Sequence, residues 1–313
     1  MAITREQLGQ RLREAREAAG LTQGRVAEKL SISRSTLAQM ELGGREVTSI
    51  ELDRLAYLYG RDIRSFLRDD FQPDDALTAL FRADPALSDE DGVADRLRWC
   101  MAVARELGNL ESLLEIDDAR AAPARYDLPP PSSRWQAVKQ GGRVASDERR
   151  RLDLGDAAIA DVAELLESQG VHAMTTPLPE DVSGLTAHEQ ATGAIVAVNG
   201  GHPVLRRRFS YAHEYAHVLL DRDRIGTVSR LSDNKELLEV RANAFAAAFL
   251  MPDTGLRRLI EGMGKGRASR SHQEVGDEEN AVRAEARARP GSQEIQIYDV
   301  VHTAHVFGVS TMA

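Results

Sequence analysis

The chain has 313 residues, 42% of them hydrophobic, which allows two folded domains with connecting material and a sizeable core. No apolar run reaches the roughly 18 residues of a membrane span, and the start Met1-Ala2-Ile3-Thr4-Arg5-Glu6 lacks a basic-then-apolar leader pattern, so no membrane partner is expected and the expected location is cytoplasmic. One cysteine, Cys100, excludes an intrachain disulfide and argues against a thiolate metal site, and a net charge of −9 excludes a protein coated in nucleic acid.

That charge is unevenly spread. Residues 1–68 hold twelve Lys and Arg against nine Asp and Glu, a balance of +3, which leaves −12 for the rest. Only this first segment has the charge sign that suits a phosphate backbone. Thr4 caps an amphipathic helix over 4–19, with Leu8, Leu12, Ala15 and Ala19 at helical spacing and Gly20 at its end. Thr22 caps a short helix to Leu30, Ser31-Ile32-Ser33 makes a tight turn, and 34–41 forms a third helix that Gly43-Gly44 stops. Ser49 caps a fourth, and 61–67 closes a bundle of about five helices.

Residues 69–122 read as a helical connector broken at Pro73 and Pro85, with Cys100 in its core. Residues 123–146, with Pro129-Pro130-Pro131, read as a stiff extended linker. A second domain over 147–262 contains a helix over 152–170, strands at 171–174 and 194–198, a helix over 209–220 and another over 235–250 that Pro252 ends. Residues 263–293 are charged and poor in large apolar side chains, so a flexible segment is expected. Apolar periodicity returns over 294–313, where Phe307 to Ser310 resemble the start of a further helical unit. The expected fold class is α+β, mainly α with a small β-sheet.

The helices at 22–30 and 34–41 are joined by a short turn, with small Ala27 where they cross, as a helix-turn-helix requires. Residues 5–67 resemble the phage-repressor, or XRE, class through Gln23, Ala27, Leu30, Ser33, Leu37 and Glu41. The resemblance implies that Gln23 contacts a phosphate and that Arg34, Ser35 and Gln39 face base edges of a double-stranded DNA operator. It leaves Leu37 and Met40 to the core. A single unit of this kind reads half of a two-fold site, so a homodimer is expected.

Residues 209–220 carry His213-Glu214-Tyr215-Ala216-His217. Four residues apart on a helix, His213 and His217 project from one face and can grip one Zn²⁺, and Glu214 beside them suits a general base. A catalytic zinc needs a third protein ligand, and the next helix offers Glu236 and Glu239. His-Glu-x-x-His followed by Glu239-x-x-Ala-Asn243-x-Phe-Ala and Leu250-Met251-Pro252 resembles the ImmA/IrrE metallopeptidase family. Asp181-Val182-Ser183-Gly184-Leu185, Ile195 to Asn199 and Arg206 to Phe209 agree, so the resemblance covers about 147–252. It implies a zincin-like domain with one zinc on His213, His217 and Glu239, Glu236 being the spare. It further implies a protein substrate, a repressor or antitoxin-like protein, in a stress or mobile-element response. Three readings stay open at this point. The second domain is a live protease, or a non-catalytic sensor of metal or ligand, or the first domain is a protein-docking module. His302 and His305 have no third partner, His172, His188 and His202 lack ligand spacing, Arg206 to Arg208 are read as structural or substrate-facing, and Tyr215 as a filler of the motif.

Overall fold

The computed structural model describes residues 3–69, 71, 76–84, 87, 92–114, 122–189, 192–233, 235–265, 272–275, 282–285 and 294–311. It is α+β, as expected: helices predominate around one four-stranded sheet. Among the described residues, no helix is long and apolar enough to cross a membrane.

The first unit consists of α1 (Arg5–Ala18), α2 (Gln23–Leu30), α3 (Arg34–Glu41) and α4 (Ser49–Tyr59). The expected fifth helix is a single 3-10 turn, Ile63–Phe66, capped by Asp62. Thr4 and Gln7 form a reciprocal capping box at α1, and Thr22 caps α2. The cap of α4 is Thr48 rather than Ser49, with Glu51 completing its box. Leu12, Leu37, Met40, Leu55 and Phe66 are fully buried at the centre. Gly9 allows α1 to approach α3, because a Cβ there would lie 2.6 Å from the Met40 carbonyl oxygen.

The sheet comprises β1 (Val171–Thr176), β2 (Val182–Glu189), β3 (Gly193–Asn199) and β4 (Gly226–Arg230), in spatial order β1-β3-β2-β4. β1 runs parallel to β3, and β2 is antiparallel to both β3 and β4. Alternation along β3 gives the sheet two apolar faces: Ala194, Val196 and Val198 enter one core cluster, Ile195 and Ala197 another. The first face is covered by α8 (Val162–Ser168) and α9 (Val204–Leu220); α10 (Leu237–Leu250) packs on α9, and α7 (Arg134–Arg151) on α10, extending the same core.

The second face corrects the connector. The described parts of 69–122 include α5 (Ala76–Ala83) and α6 (Val93–Leu113), whose Leu77, Leu80, Leu97 and Met101 pack on Val182, Leu185 and Ala187. They form a layer of the domain, because a sheet with two apolar faces needs a cover on each. Cys100 is buried there, and burial pushes its thiol up to about 11.

The linker boundary is also corrected. Residues 134–151 form α7, capped by Ser133, and the preceding stretch is strapped to α9 by a Tyr126 amide bond to the Leu219 carbonyl of 3.0 Å. Ala137, Gly141, Val144, Ala145 and Glu148 make a buried stripe against α10. The helix expected over 152–170 is only α8, and β2 and β4 went unpredicted. Within 263–293, β5 (His272–Val275) and β6 (Val282–Glu285) pair antiparallel, and most of the rest of the segment expected to be flexible lies outside the described residues. After α11 (Asp253–Gly262), α12 (Ile297–Phe307) returns to the main core through Ala304, Phe307 and Val309, so the end of the chain is no separate unit among the described residues. Arg208 fixes that return by donating to the carbonyls of Ile159, Ala160 and Gly308.

The two adjacent glycines of α7 give a paired test. A Cβ at Gly141 would press into the Arg241 carbonyl and the Phe245 amide, whereas at Gly142 it meets open space. Gly141→Ala is expected to destabilise the chain by about 1–3 kcal/mol through overpacking. Gly142→Ala should stabilise it by about 0.5–1 kcal/mol through helix propensity. Urea melts of the two variants check this; equal midpoints would contradict the α7–α10 packing.

Candidate metal centre and DNA-binding face

The motif helix α9 is buried from Ser210 to Leu219, so its two histidines lie in the interior. Each is oriented through its Nδ1–H. His213 donates to Asn243 Oδ1 at 3.0 Å, and His217 donates to Asp221 Oδ2 at 2.8 Å. Arg241 in turn donates to Asp221 Oδ1 at 2.5 Å. A ring whose Nδ1 carries the proton presents a bare lone pair at Nε2. The two Nε2 atoms are 3.2 Å apart, and the Glu239 carboxylate lies 3.1 Å from one and 3.3 Å from the other.

Two lone pairs and a carboxylate, all within 4.8 Å of one another and buried, require a positive charge among them. The protonation behaviour of the metal-free chain expresses the same field. Burial opposes charge on His217, yet hydrogen bonds to Asp221 and Glu239 outweigh it and hold its pKa up to about 10. Burial likewise opposes charge on Glu239, and hydrogen bonds from His213 and His217 hold its carboxyl well below the usual range. Two imidazoles and one carboxylate, each oriented from behind, suit a divalent metal with an open position. The spare candidate Glu236 is exposed at the N-cap of α10 and does not join the cluster.

Glu214 is fully buried. Thr186 on β2 donates to its Oε2 at 2.7 Å, while Oε1 is buried without a hydrogen-bond partner. Gly184 is what leaves room for that oxygen: a Cβ there would stand 2.8 Å from Oε1. Asn199, at the end of β3, shapes the turn leading into β2 by donating to the carbonyls of Leu178, Pro179 and Val182.

Several residues that matter here escaped the sequence reading. Tyr215, read as filler, points away from the metal face and donates to Glu148 Oε1 at 2.5 Å, and Tyr126 donates to the other oxygen of Glu148 at 2.9 Å. Burial opposes charge on Glu148, but Arg151 and the two tyrosines hold its pKa below the ordinary value. This network pins α9 to α7. Asn243 lies in the quoted motif but had no assigned role. Asp221 is four residues beyond His217, the spacing that would have revealed it.

In the first unit, Ser31 takes a left-handed backbone (φ 56°) and Ser33 caps α3, so the turn between α2 and α3 is tight. Arg34, Ser35 and Gln39 are exposed on α3, while Leu37 and Met40 are buried as expected. Gln23 is half-buried: its amide donates to Glu41 Oε2 at 2.9 Å and its oxygen accepts from Arg34 at 3.4 Å. Glu41 itself is gripped by buried Arg16 at 2.6 Å. Burial works against the Arg16 charge, and the Glu41 carboxylate more than offsets it.

The fold and both sites thus define a helix-turn-helix protein with a metallopeptidase-like second domain. Residues 7–65 match the family model described as a helix-turn-helix domain, and residues 166–313 match that described as an IrrE N-terminal-like domain. No curated protein matches the chain. The chain joins a helix-turn-helix domain to a domain of the ImmA/IrrE metallopeptidase-like kind. The second match runs past 262 and takes in α12, consistent with the packing of that helix.

Purified protein is expected to carry about one metal ion per chain, since three protein ligands define one site. His213→Ala, His217→Ala and Glu239→Ala should each deplete it by elemental analysis, and Glu236→Ala should not. Full metal in Glu239→Ala would remove that residue from the ligand set.

Proposed function

We propose that this chain is a DNA-binding transcriptional regulator whose second domain is a zinc endopeptidase. Its substrate is a repressor or antitoxin-like protein, cleaved in a stress or mobile-element response. The observation that carries this reading is Glu214, a buried carboxylate with one oxygen anchored by Thr186 and the other unpartnered beside the cluster of His213, His217 and Glu239. A carboxylate that served only packing would have both oxygens satisfied.

Zinc on these three residues would supply Lewis acidity to a water and a scissile carbonyl. Glu214 Oε1 takes a proton from the attacking water as its oxygen bonds to the carbonyl carbon. Glu214 then delivers that proton to the amide nitrogen as the C–N bond breaks, yielding a carboxylic acid and an amine, the second water proton passing from the acid to the amine in solution. Thr186 keeps Oε2 fixed throughout, so the proton moves on and off one oxygen.

Arg34, Ser35 and Gln39 read base edges in the major groove, the exposed face of α3 being free to enter it. Gln23 uses one amide hydrogen on Glu41 and keeps the other for a phosphate. Two copies pair across a two-fold operator. Arg34→Ala and Gln39→Ala should each weaken binding to a selected site by about 1–3 kcal/mol, measured at stated salt. Unchanged affinity in both would contradict the groove assignment.

Glu214→Gln should retain metal and fold but lose about 10²–10⁴ in hydrolysis, because an amide cannot take the proton. Levels of full-length repressors encoded nearby, compared between wild type and variant cells, report this. If neither any protein's cleavage nor any transcript differs under stress, the protease reading fails.

A further inference from the structure

One more hydroxyl reaches the metal face. Ser229 lies on β4, is 3% exposed, and places Oγ 3.3 Å from His213 Nε2. In the tautomer that binds a metal, with the His213 proton on Nδ1 toward Asn243, Ser229 is the donor in that contact. A metal on Nε2 takes the same lone pair and releases the buried hydroxyl from that contact. The sheet register indicates what it then faces. Ser229 pairs across the strands with Gly184, the residue whose missing side chain makes room for Glu214 Oε1. Ser229 and the unpartnered Glu214 oxygen therefore lie on the same side of the sheet, next to each other's strand position and beside the metal ligands.

We propose that Ser229 is a further catalytic residue that orients the attacking water. A water has two protons. Glu214 takes the first, and Ser229 Oγ accepts a hydrogen bond from the second, so the attacking lone pair is fixed in direction. The inference rests on the peptidase reading above, since it concerns the same water.

The test uses the full chain loaded with cobalt(II) in place of zinc, with visible and near-ultraviolet absorption and chelator competition as readouts. Ser229→Ala should bind about one cobalt per chain with affinity within about threefold of wild type, because a water contact, unlike a ligand-orienting one, leaves the ten- to hundredfold affinity range untouched. Its visible bands should shift, and Ser229→Thr, which keeps the hydroxyl, should restore them. Unshifted bands in Ser229→Ala would overturn the role of Ser229 alone. An affinity loss of ten- to hundredfold in Ser229→Ala would also overturn it, reassigning the hydroxyl to holding a ligand. A wild-type chain that takes up no cobalt would remove the metal site, and both readings with it.

Discussion

Everything at the second site depends on where two imidazole protons sit. Asn243 and Asp221 each accept an Nδ1–H, so both Nε2 lone pairs turn inward toward Glu239. Such a centre is costly to bury, since its carboxylate needs a positive charge beside it, from a metal or, without one, from protonated His217. The fold supports it by holding each group from behind. Arg241 restrains Asp221, and Glu148 with Tyr126 and Tyr215 ties α9 to α7 on its far side. Breaking any one of these leaves a buried polar group unpaired, a penalty of about 1–3 kcal/mol before any loss of metal.

The distances work only because α9 and α10 lie at a fixed separation, and α7 sets it. Gly141 brings α7 against the backbone of α10, and Arg149 donates to the Phe249 carbonyl at 2.5 Å and to the carbonyls of Gly155 and Ala157. A guanidinium used this way replaces several backbone partners at once, which suits the point where one helix ends against another. α7 therefore sets the geometry of the metal-ligand cluster as much as the motif helix does.

The sheet has a similar dependence on distant sequence. β2 presents Gly184 and Thr186 to Glu214 on one face and Leu185 and Ala187 to α5 and α6 on the other. Its position is thus set from both sides. α6 also touches the first unit, through Lys29 with Asp95 at 3.2 Å and Arg64 with Asn109 at 2.5 Å. These exposed contacts contribute little energy each. They do place the helix-turn-helix next to the layer that backs the sheet of the metallopeptidase-like domain, so the two units share a neighbour as well as a chain.

Local chemistry made much of this legible. His213, Glu214 and His217 on a single helix, and the caps Thr4 and Thr22, all act within a few residues, so spacing alone locates them, whereas the choice of Glu239 over Glu236 came from the family resemblance. The buried Leu37 and Met40 follow from helical period in the same way. What spacing could not show was which segments meet. Residues 134–151 follow three prolines and contain Gly141-Gly142, so their local preference is for a linker; only contact with α10 turns that small-residue stripe into a packed helix. The same holds for α5 and α6, whose apolar residues are explained by a sheet formed from strands about a hundred residues later. Asp221, Asn243, Thr186 and Ser229 are ordinary polar residues in sequence. They acquire roles because strands and helices far apart in the chain bring them to one buried centre, where an unpaired polar group is expensive and each must find a partner.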